Sequence, residues 1–448
     1  MAAIRASQLG MKTAVVEKES VGGVCLNWGC IPTKALLKSA QVFNYMKHAG
    51  DYGIKLEGEA TPDFEGMIKR SRDVASGMSN GVNFLFKKNK IDLLEGTGKA
   101  LPGKKVEVTS GKGEKKEYEA DHIIIATGAR SRELPALKQD GKKIIGYRKA
   151  MSLEKKPGSM VVVGSGAIGS EFAYFYNSIG TKVTLVEFLD NVVPLEDEEV
   201  SKQLARSFKK SGMKVMTSSE VTKVDTSGKK CKVSVKTKKG EETIEADIVL
   251  SAVGIATNIE GIGLEEVGIK TEKGKVVVDD FYKTSVDGYY AIGDIVHGPA
   301  LAHMASHEGI TCVEKIAGKD TQPIDYGNCP SCTYTVPEVA SVGMTEKQAK
   351  DAGYEIKVGK FPFTASGKAS AAGSKEGFVK VIFDARYGEW LGAHMIGDNV
   401  TEMIAEVVAA RRLETTGEEI IKTIHPHPTL SEAVMEATAA AYGEVIHL

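Results

Sequence analysis

Two cysteines five residues apart, Cys25 and Cys30, stand in the stretch Gly22-Gly23-Val24-Cys25-Leu26-Asn27-Trp28-Gly29-Cys30-Ile31-Pro32-Thr33-Lys34. The chemistry open to such a pair is thiol–disulfide exchange. A regular helix would separate the two by about 7.5 Å along its axis, whereas a disulfide holds its Cα atoms roughly 4.4–6.8 Å apart. A bond between them therefore requires a break in the helix, and Gly29, without a Cβ, can supply it. A bridge held in such a bend is easier to reduce than a relaxed one. The plainer reading is two buried thiols. The flanking residues favour exchange: the glycine pair allows a backbone or ligand to approach closely, and Lys34 brings a cation just beyond Pro32.

A second group lies near the C-terminus, in His425-Pro426-His427-Pro428-Thr429-Leu430-Ser431-Glu432. The prolines fix φ on both sides of His427 and stiffen its placement. Histidine titrates near neutrality, which suits proton transfer to and from a thiol. Thr429-x-x-Glu432 also fits a capping box that opens the last helix. Orienting a histidine and closing that box then compete for the Glu432 side chain.

A third group binds rather than reacts. The apolar run Ser159-Met160-Val161-Val162-Val163 predicts a strand, and Gly164-Ser165-Gly166-Ala167-Ile168-Gly169 follows it. A helix continues through Ser170 and Glu171 towards Gly180, and the next strand ends in Glu187. This is G-x-G-x-x-G between strand and helix with a distal acid, the pattern of dinucleotide binding. The helix N-terminus offers free N–H groups and a positive dipole end to a pyrophosphate. Glu187 accepts from ribose hydroxyls and repels a 2′-phosphate, which favours NAD over NADP.

The elements that position these groups come in two copies. Gly10-Met11-Lys12-Thr13-Ala14-Val15-Val16-Glu17 parallels Gly180-Thr181-Lys182-Val183-Thr184-Leu185-Val186-Glu187. Ala120 to Gly128 likewise parallels Ala246 to Gly254. Two similar α/β domains are expected, one built into the sequence of the other. Aligning Glu17 with Glu187 places the first copy's glycine loop upstream of Met1, so the chain is expected to open inside the helix that such a loop precedes. From about Tyr326 the pattern changes to alternating apolar runs, Phe378 to Phe383 and Leu391 to Ile396. Helical stretches follow at 400–412 and 431–442, which reads as an α+β domain.

Composition bounds the function. The 448 residues suit about three domains. A net charge of -1 and a pI near 6.8 argue against non-specific binding to nucleic acid or anionic membrane. No run suits a membrane span or signal peptide. Six cysteines in so long a chain make no secreted disulfide scaffold, so a cytoplasmic location is expected. Cys329-Pro330-Ser331-Cys332 has metal or redox spacing but no obvious partner pair. It reads as two incidental cysteines near a strand start, and no metal site is expected.

The run Cys25-Leu26-Asn27-x-Gly29-Cys30-Ile31-Pro32-Thr33-Lys34-Ala35-Leu36-Leu37 resembles the redox-active disulfide of the pyridine nucleotide-disulfide oxidoreductases, most of all the members that act on dihydrolipoyl groups. The likeness spans the whole chain. It implies an α/β fold with two Rossmann-like dinucleotide-binding domains, for FAD and NAD, plus a C-terminal α+β dimerisation domain. The boundaries expected are 1–148 and 276–325 for the FAD domain, 149–275 for the NAD domain and 326–448 for the interface domain. It further implies that Glu17 meets the FAD ribose, that Lys34, paired with Glu171, lies at the flavin, and that Gly98, Thr127, Gly128 and Ala129 lie near the cofactor. Asp294, ending Gly288-Tyr289-Tyr290-Ala291-Ile292-Gly293-Asp294, would hold ribitol hydroxyls. Ala300, Leu301, Ala302 and His303 would place backbone amides near the flavin ring. Val221 and Gly254 join the glycine loop as nucleotide contacts, although Gly254 to Asn258 departs from the commoner Gly-Arg-x-Pro-Asn.

The resemblance makes His427 the acid/base, oriented by Glu432 and facing the disulfide of the other subunit of a homodimer. A dihydrolipoyl thiolate would attack Cys25, Cys30 would face the flavin, and electrons would pass through FAD to NAD. The partners implied are lipoyl domains of 2-oxo acid dehydrogenase or glycine cleavage complexes. A sister reductase is the alternative. Glu187 argues against the NADPH preference of glutathione reductase, and the lack of paired C-terminal cysteines argues against mercuric reductase. A flavin-free subunit that only docks on a multienzyme core is a different class, separated by flavin colour.

Overall fold

The structure, a computed structural model, describes residues 1–448. The chain forms two compact units. One comprises Met1–Ala35, Lys69–Arg132 and Gly254–Tyr326; the other comprises Leu36–Ile68, Glu133–Val253 and Gly327–Leu448.

The first unit opens with the helix Ala2–Gln8, packed on the helix Ala302–Ile316 and tied to it by Arg5 and Glu314 at 2.9 Å. Its parallel pairings are Ala14–Glu17 with Asp92–Glu95 and Ile123–Ile125 with Tyr289–Ala291. Thr97–Leu101, Lys105–Thr109 and Lys115–Glu119 form an antiparallel meander. Ile123, Ile125, Tyr289, Ala291, Ile295 and Cys312 form its core.

The second unit contains a five-stranded parallel sheet ordered Lys214–Met216, Lys182–Val186, Ser159–Val163, Ile248–Ser251, Ile144–Ile145. The helix Ala167–Ser178 makes the crossover between the Ser159–Val163 and Lys182–Val186 strands, and the helix Glu198–Lys210 leads to Lys214–Met216. The run Met160 to Val163 is apolar throughout because it is buried throughout, as a parallel strand covered on both faces requires. The antiparallel strands Glu220–Asp225, Cys231–Thr237 and Gly240–Ala246 precede Ile248–Ser251.

An antiparallel sheet follows in the same unit, ordered Ser331–Thr333, Glu338–Gly343, Trp390–Gly397, Phe378–Asp384, Ile356–Pro362. The helix Glu432–Tyr442 lies on its Ile356–Pro362 edge, so closely that a Cβ on Gly359 would meet Ala437 O at 1.8 Å. The helix Val400–Arg412 packs on Glu338–Gly343 and Trp390–Gly397. The alternation in 378–383 suggests one wet face, but every residue of Phe378–Asp384 and Trp390–Gly397 is buried.

Lys380 is the clearest case. Its ammonium, 2% exposed, meets Asp197 at 3.0 Å, Glu199 at 2.9 Å and Glu346 at 2.7 Å. Burial works against the charge, but the three carboxylates outweigh it and raise the pKa of Lys380. Glu346 is drawn down to about 2 by Lys350 and Lys380. Asp197 also caps the helix Glu198–Lys210, accepting from Glu199 N at 3.1 Å. One cation thus fixes the parallel sheet's second crossover helix to the antiparallel sheet. Removing one partner of a buried ion pair costs about 3–5 kcal/mol, because the other charge is left uncompensated. Lys380→Ala is therefore expected to lower stability by about that amount in urea unfolding; a loss within the scatter of surface substitutions would contradict the clamp.

Candidate active site

The cysteine stretch folds as two abutting helices, Gly23–Trp28 and Cys30–Lys47, with Gly29 between them at φ −138°, ψ −118°. A Cβ on Gly29 would meet Val24 O at 3.0 Å and the Cys25 Cα at 3.2 Å, so the junction needs glycine for space. The break brings Cys25 and Cys30, both half-buried, into hydrogen-bond contact. That hydrogen bond, and then burial, hold the Cys25 thiol well above the usual range, while the Lys34 cation pulls the other way.

Interrupting a helix leaves carbonyls without partners, and here the helix Phe64–Lys88 supplies donors. The Arg72 guanidinium donates to Asn27 O and stacks on the Trp28 ring at 4.3 Å. Ser71 Oγ donates to Pro32 O at 2.9 Å, and Arg70 to Ala35 O at 2.8 Å. Ser79 Oγ donates to Asn27 Oδ1 at 2.8 Å, while Asn27 Nδ2 reaches Val21 O and Gly23 O, each at 3.0 Å. Thr33 closes the junction, its hydroxyl donating to Gly29 O at 2.7 Å. None of Arg70, Ser71, Arg72 and Ser79 is legible as a site residue from local pattern.

In the glycine loop the three glycines have three different reasons. Gly164 has φ +94°, and a Cβ there would meet Ala252 O at 2.3 Å. At Gly169 a Cβ would meet Gly164 O at 1.9 Å, so this glycine lets helix and strand close up. Gly166 is open, with nothing within 4 Å of an added Cβ, and with Ala167 and Ile168 it is exposed at the first turn of the helix Ala167–Ser178. Open backbone at a helix N-terminus fits the pyrophosphate of a dinucleotide.

Ser165, Ser170 and Glu171 face inward instead. Ser165 N and Oγ donate to Glu187 Oε2 at 2.7 and 2.8 Å, and Ser170 Oγ donates to Ser165 O at 2.9 Å. Glu171 is buried and accepts from Tyr334 N at 3.0 Å. Glu187, 6% exposed, also accepts from Leu189 N at 2.8 Å. A carboxylate offers about four acceptor directions, so three internal donors leave room for one ribose hydroxyl. Glu187 therefore carries the loop's shape as well as any specificity. Val221 is half-buried beside a bulge in Glu220–Asp225.

On the flavin side, Glu17 ends the Ala14–Glu17 strand and accepts from Glu19 N at 2.7 Å. Gly98 lets the Thr97–Leu101 strand close on it; an added Cβ would meet Val16 at 3.2 Å. The Thr127 hydroxyl donates to Asn258 O at 2.6 Å, and Asn258 N donates to Gly128 O at 2.8 Å. Ala129 begins a short strand that pairs antiparallel with Ile255–Thr257, just after Gly254. The segment that departs from Gly-Arg-x-Pro-Asn is thus held by Ala129–Ser131, with Arg130 donating to Thr257 O at 2.6 Å and to the Glu260 carboxylate.

Asp294 lies in the turn Gly293–Ile295, partly buried. Burial raises its pKa against the pull of Lys275. A partly desolvated carboxylate of this kind fits ribitol hydroxyls as donors. Beneath it the buried Glu308 accepts from Gly293 N at 2.6 Å and from Tyr326 OH at 2.9 Å. Ala300 and His303 are exposed, and Leu301 is the N-cap of Ala302–Ile316. The first turn of that helix offers backbone N–H groups to an electron-rich ring.

At the C-terminal group, His427 Nδ1 and Glu432 Oε1 are 2.8 Å apart, and Thr429 N donates to Glu432 Oε2 at 2.8 Å. The expected competition for Glu432 does not arise, because each oxygen takes one partner. The capping box itself is half made: the Thr429 hydroxyl turns back to Pro426 O at 2.8 Å, and the helix starts at Glu432 after Ser431. Burial raises the pKa of Glu432, but the Thr429 amide, His427 and His425 together hold it below the usual carboxylate range. His427 is exposed, 77% at the side chain. His425 is 5% exposed, with Nδ1 at 3.0 Å from Thr423 O and Nε2 at 2.6 Å from Glu406. Both of its ring nitrogens are engaged, whereas His427 engages Glu432 through Nδ1. Cys329 lies just before the strand Ser331–Thr333 and Cys332 within it, both half-buried.

Residues 1–309 match the family model described as pyridine nucleotide-disulphide oxidoreductase, and 329–438 match that family's dimerisation domain. The chain is 50% identical over 466 residues to a dihydrolipoyl dehydrogenase of Rhizobium etli, with 100% of this chain and 96% of that one covered. It is 47% identical over 451 residues to the protein of that name from Zymomonas mobilis, with the same coverage. Among solved structures, LpdA from Mycobacterium tuberculosis superposes with a TM-score of 0.90 at 26% identity, covering 98% of this chain and 96% of that one. The chain belongs to the pyridine nucleotide-disulphide oxidoreductase family, among its dihydrolipoyl dehydrogenases.

Proposed function

We propose that this chain oxidises a protein-bound dihydrolipoyl group to its disulfide, with Cys25 and Cys30 as the exchanging pair. The observation that carries the reading is the contact between the two sulfurs across Gly29, beside Lys34. When bound, FAD accepts the electron pair from the dithiol and NAD carries it away as hydride. The residues proposed to hold FAD are Glu17, Lys34, Gly98, Thr127, Gly128, Ala129, Asp294 and Ala300 to His303. Those proposed for NAD are Gly164 to Glu171, Glu187, Val221 and Gly254.

The chain's own part is proton and thiol chemistry. His427 Nδ1 is engaged by Glu432, so Nε2 takes the proton from a substrate thiol. The substrate thiolate attacks Cys25 Sγ; the Cys25–Cys30 bond breaks and Cys30 leaves as thiolate. His427 releases the first proton to solvent and takes the proton of the second substrate thiol, whose sulfur then attacks the substrate sulfur bound to Cys25. The substrate disulfide closes, Cys25 is released as thiolate beside Lys34, and two electrons now reside on the cysteine pair. In the homodimer His427 acts on the disulfide of the partner subunit, so a monomer is inactive. The partners are lipoyl domains of 2-oxo acid dehydrogenase or glycine cleavage complexes, in the cytoplasm. No helix is long and apolar enough to cross a membrane.

The direct test is NADH formation from free dihydrolipoamide. Cys25→Ser and Cys30→Ser should each abolish it, and His427→Ala should lower turnover by about 10²-fold, the scale of general acid–base catalysis. Near-normal turnover in either cysteine variant would sink the exchange mechanism.

The loop that carries His427 also makes a prediction about pH. The Glu406 hydrogen bond raises the pKa of His425 above 6.5, so the His425–Glu406 contribution is full below that value and lost as pH rises through the raised one. His425→Gln, which cannot titrate, should therefore show its largest stability deficit against wild type in mildly acidic buffer, and the deficit should shrink as pH rises. A deficit independent of pH in paired urea titrations would show that His425 is not held as the cation.

A further inference from the structure

His427 sits on a segment without regular structure between Thr423 and Ser431, yet acid–base catalysis needs it placed within hydrogen-bond reach of a sulfur. Glu432 orients the ring through Nδ1, but one contact at the C-terminal end does not fix where the segment runs. The other fixed point is two residues back. His425 Nδ1 faces Thr423 O at 3.0 Å and Nε2 faces Glu406 at 2.6 Å. Thr423 O only accepts, and Glu406 accepts when ionised, so beside an ionised Glu406 both ring nitrogens of His425 donate, with the side chain 5% exposed.

The anchor beyond it is rigid. Glu406 lies midway along the helix Val400–Arg412, whose Val400, Met403, Ile404 and Val407 are buried against the antiparallel sheet. The charged groups that act on His425 from the packed elements are Glu406 from this helix and Glu432 from the helix Glu432–Tyr442. Between the two anchors stand Pro426 and the Thr429 hydroxyl bonded back to Pro426 O. A residue flanked by fixed torsions and pinned on both sides has little freedom left.

We infer that His425 and Glu406 are positioning residues for the acid/base: their bond sets the path of residues 423–427 and thereby the location of the His427 ring. The inference rests on His427 as the acid/base. It differs from a general packing role in one respect, that its effect on turnover must pass through the His427 imidazole.

That difference can be measured. His425→Ala and Glu406→Gln are each made alone and on top of His427→Ala, and dihydrolipoamide-driven NADH formation is followed on protein that retains its flavin. Alone, each should lower kcat about 10-fold, since an ångström-scale misplacement of a catalytic group can cost up to 10²-fold. On the His427→Ala background each should change kcat by less than about 2-fold, because residues that act as a unit are not additive. His425→Gln, whose amide carries two N–H donors, should recover part of the loss. Equal losses on both backgrounds would overturn the inference, for they would mark a packing role. Full turnover in His425→Ala and Glu406→Gln, with His427→Ala crippled, would overturn it while leaving the acid/base in place. Normal turnover in His427→Ala would instead remove the acid/base reading, and this inference with it.

Discussion

A helix has to stop and restart at a single residue for Cys25 to meet Cys30, and that interruption is the constraint on which the rest of the site depends. A continuous helix would hold the sulfurs too far apart. The stop is possible because Gly29 has no Cβ to collide with Val24 O and Cys25 Cα. It persists because carbonyls on both sides are held by side chains from one neighbouring helix, Arg70, Ser71, Arg72 and Ser79 working through Asn27, Pro32 and Ala35. The reactive pair is therefore set by a scaffold with no chemistry of its own.

The same division between a reactive group and its supports recurs at the other two clusters. At the glycine loop Glu187 reaches back to Ser165 with one oxygen and to Leu189 with the other, so the acid proposed to face a ribose also shapes the turn. At the C-terminal segment Glu432 divides its oxygens between His427 and the Thr429 amide. A carboxylate with about four acceptor directions can serve two masters, which is why a choice that looks exclusive in sequence is not exclusive in space.

What was legible in sequence follows from range. The break at Gly29, the glycine loop with its distal acid, the repeated strand–Glu endings and the helices at 400–412 and 431–442 are local patterns, readable from spacing and period. The scaffold of the cysteine pair was not, because Arg70 to Ser79 lie some forty residues away and look like the polar face of any surface helix. Lys380 and His394 were not, because alternation predicts a wet face where the structure has a buried one. Asp197, Glu199 and Glu346 rescue Lys380 from segments no local pattern connects. The role of His425 was not legible either, because Glu406, which meets its Nε2, comes from a different helix.

The central claim is that substrate electrons enter this protein through Cys25 and Cys30 and leave to NAD. It is tested most directly by residue-resolved thiol labelling on the intact flavoprotein without oxygen. Alkylation mapped by mass spectrometry should find Cys25 and Cys30 protected as isolated, both labelled after dihydrolipoamide is added, and both protected again after excess NAD. The other four cysteines should keep constant labelling throughout. Labelling of Cys25 and Cys30 that ignores both additions would contradict the account.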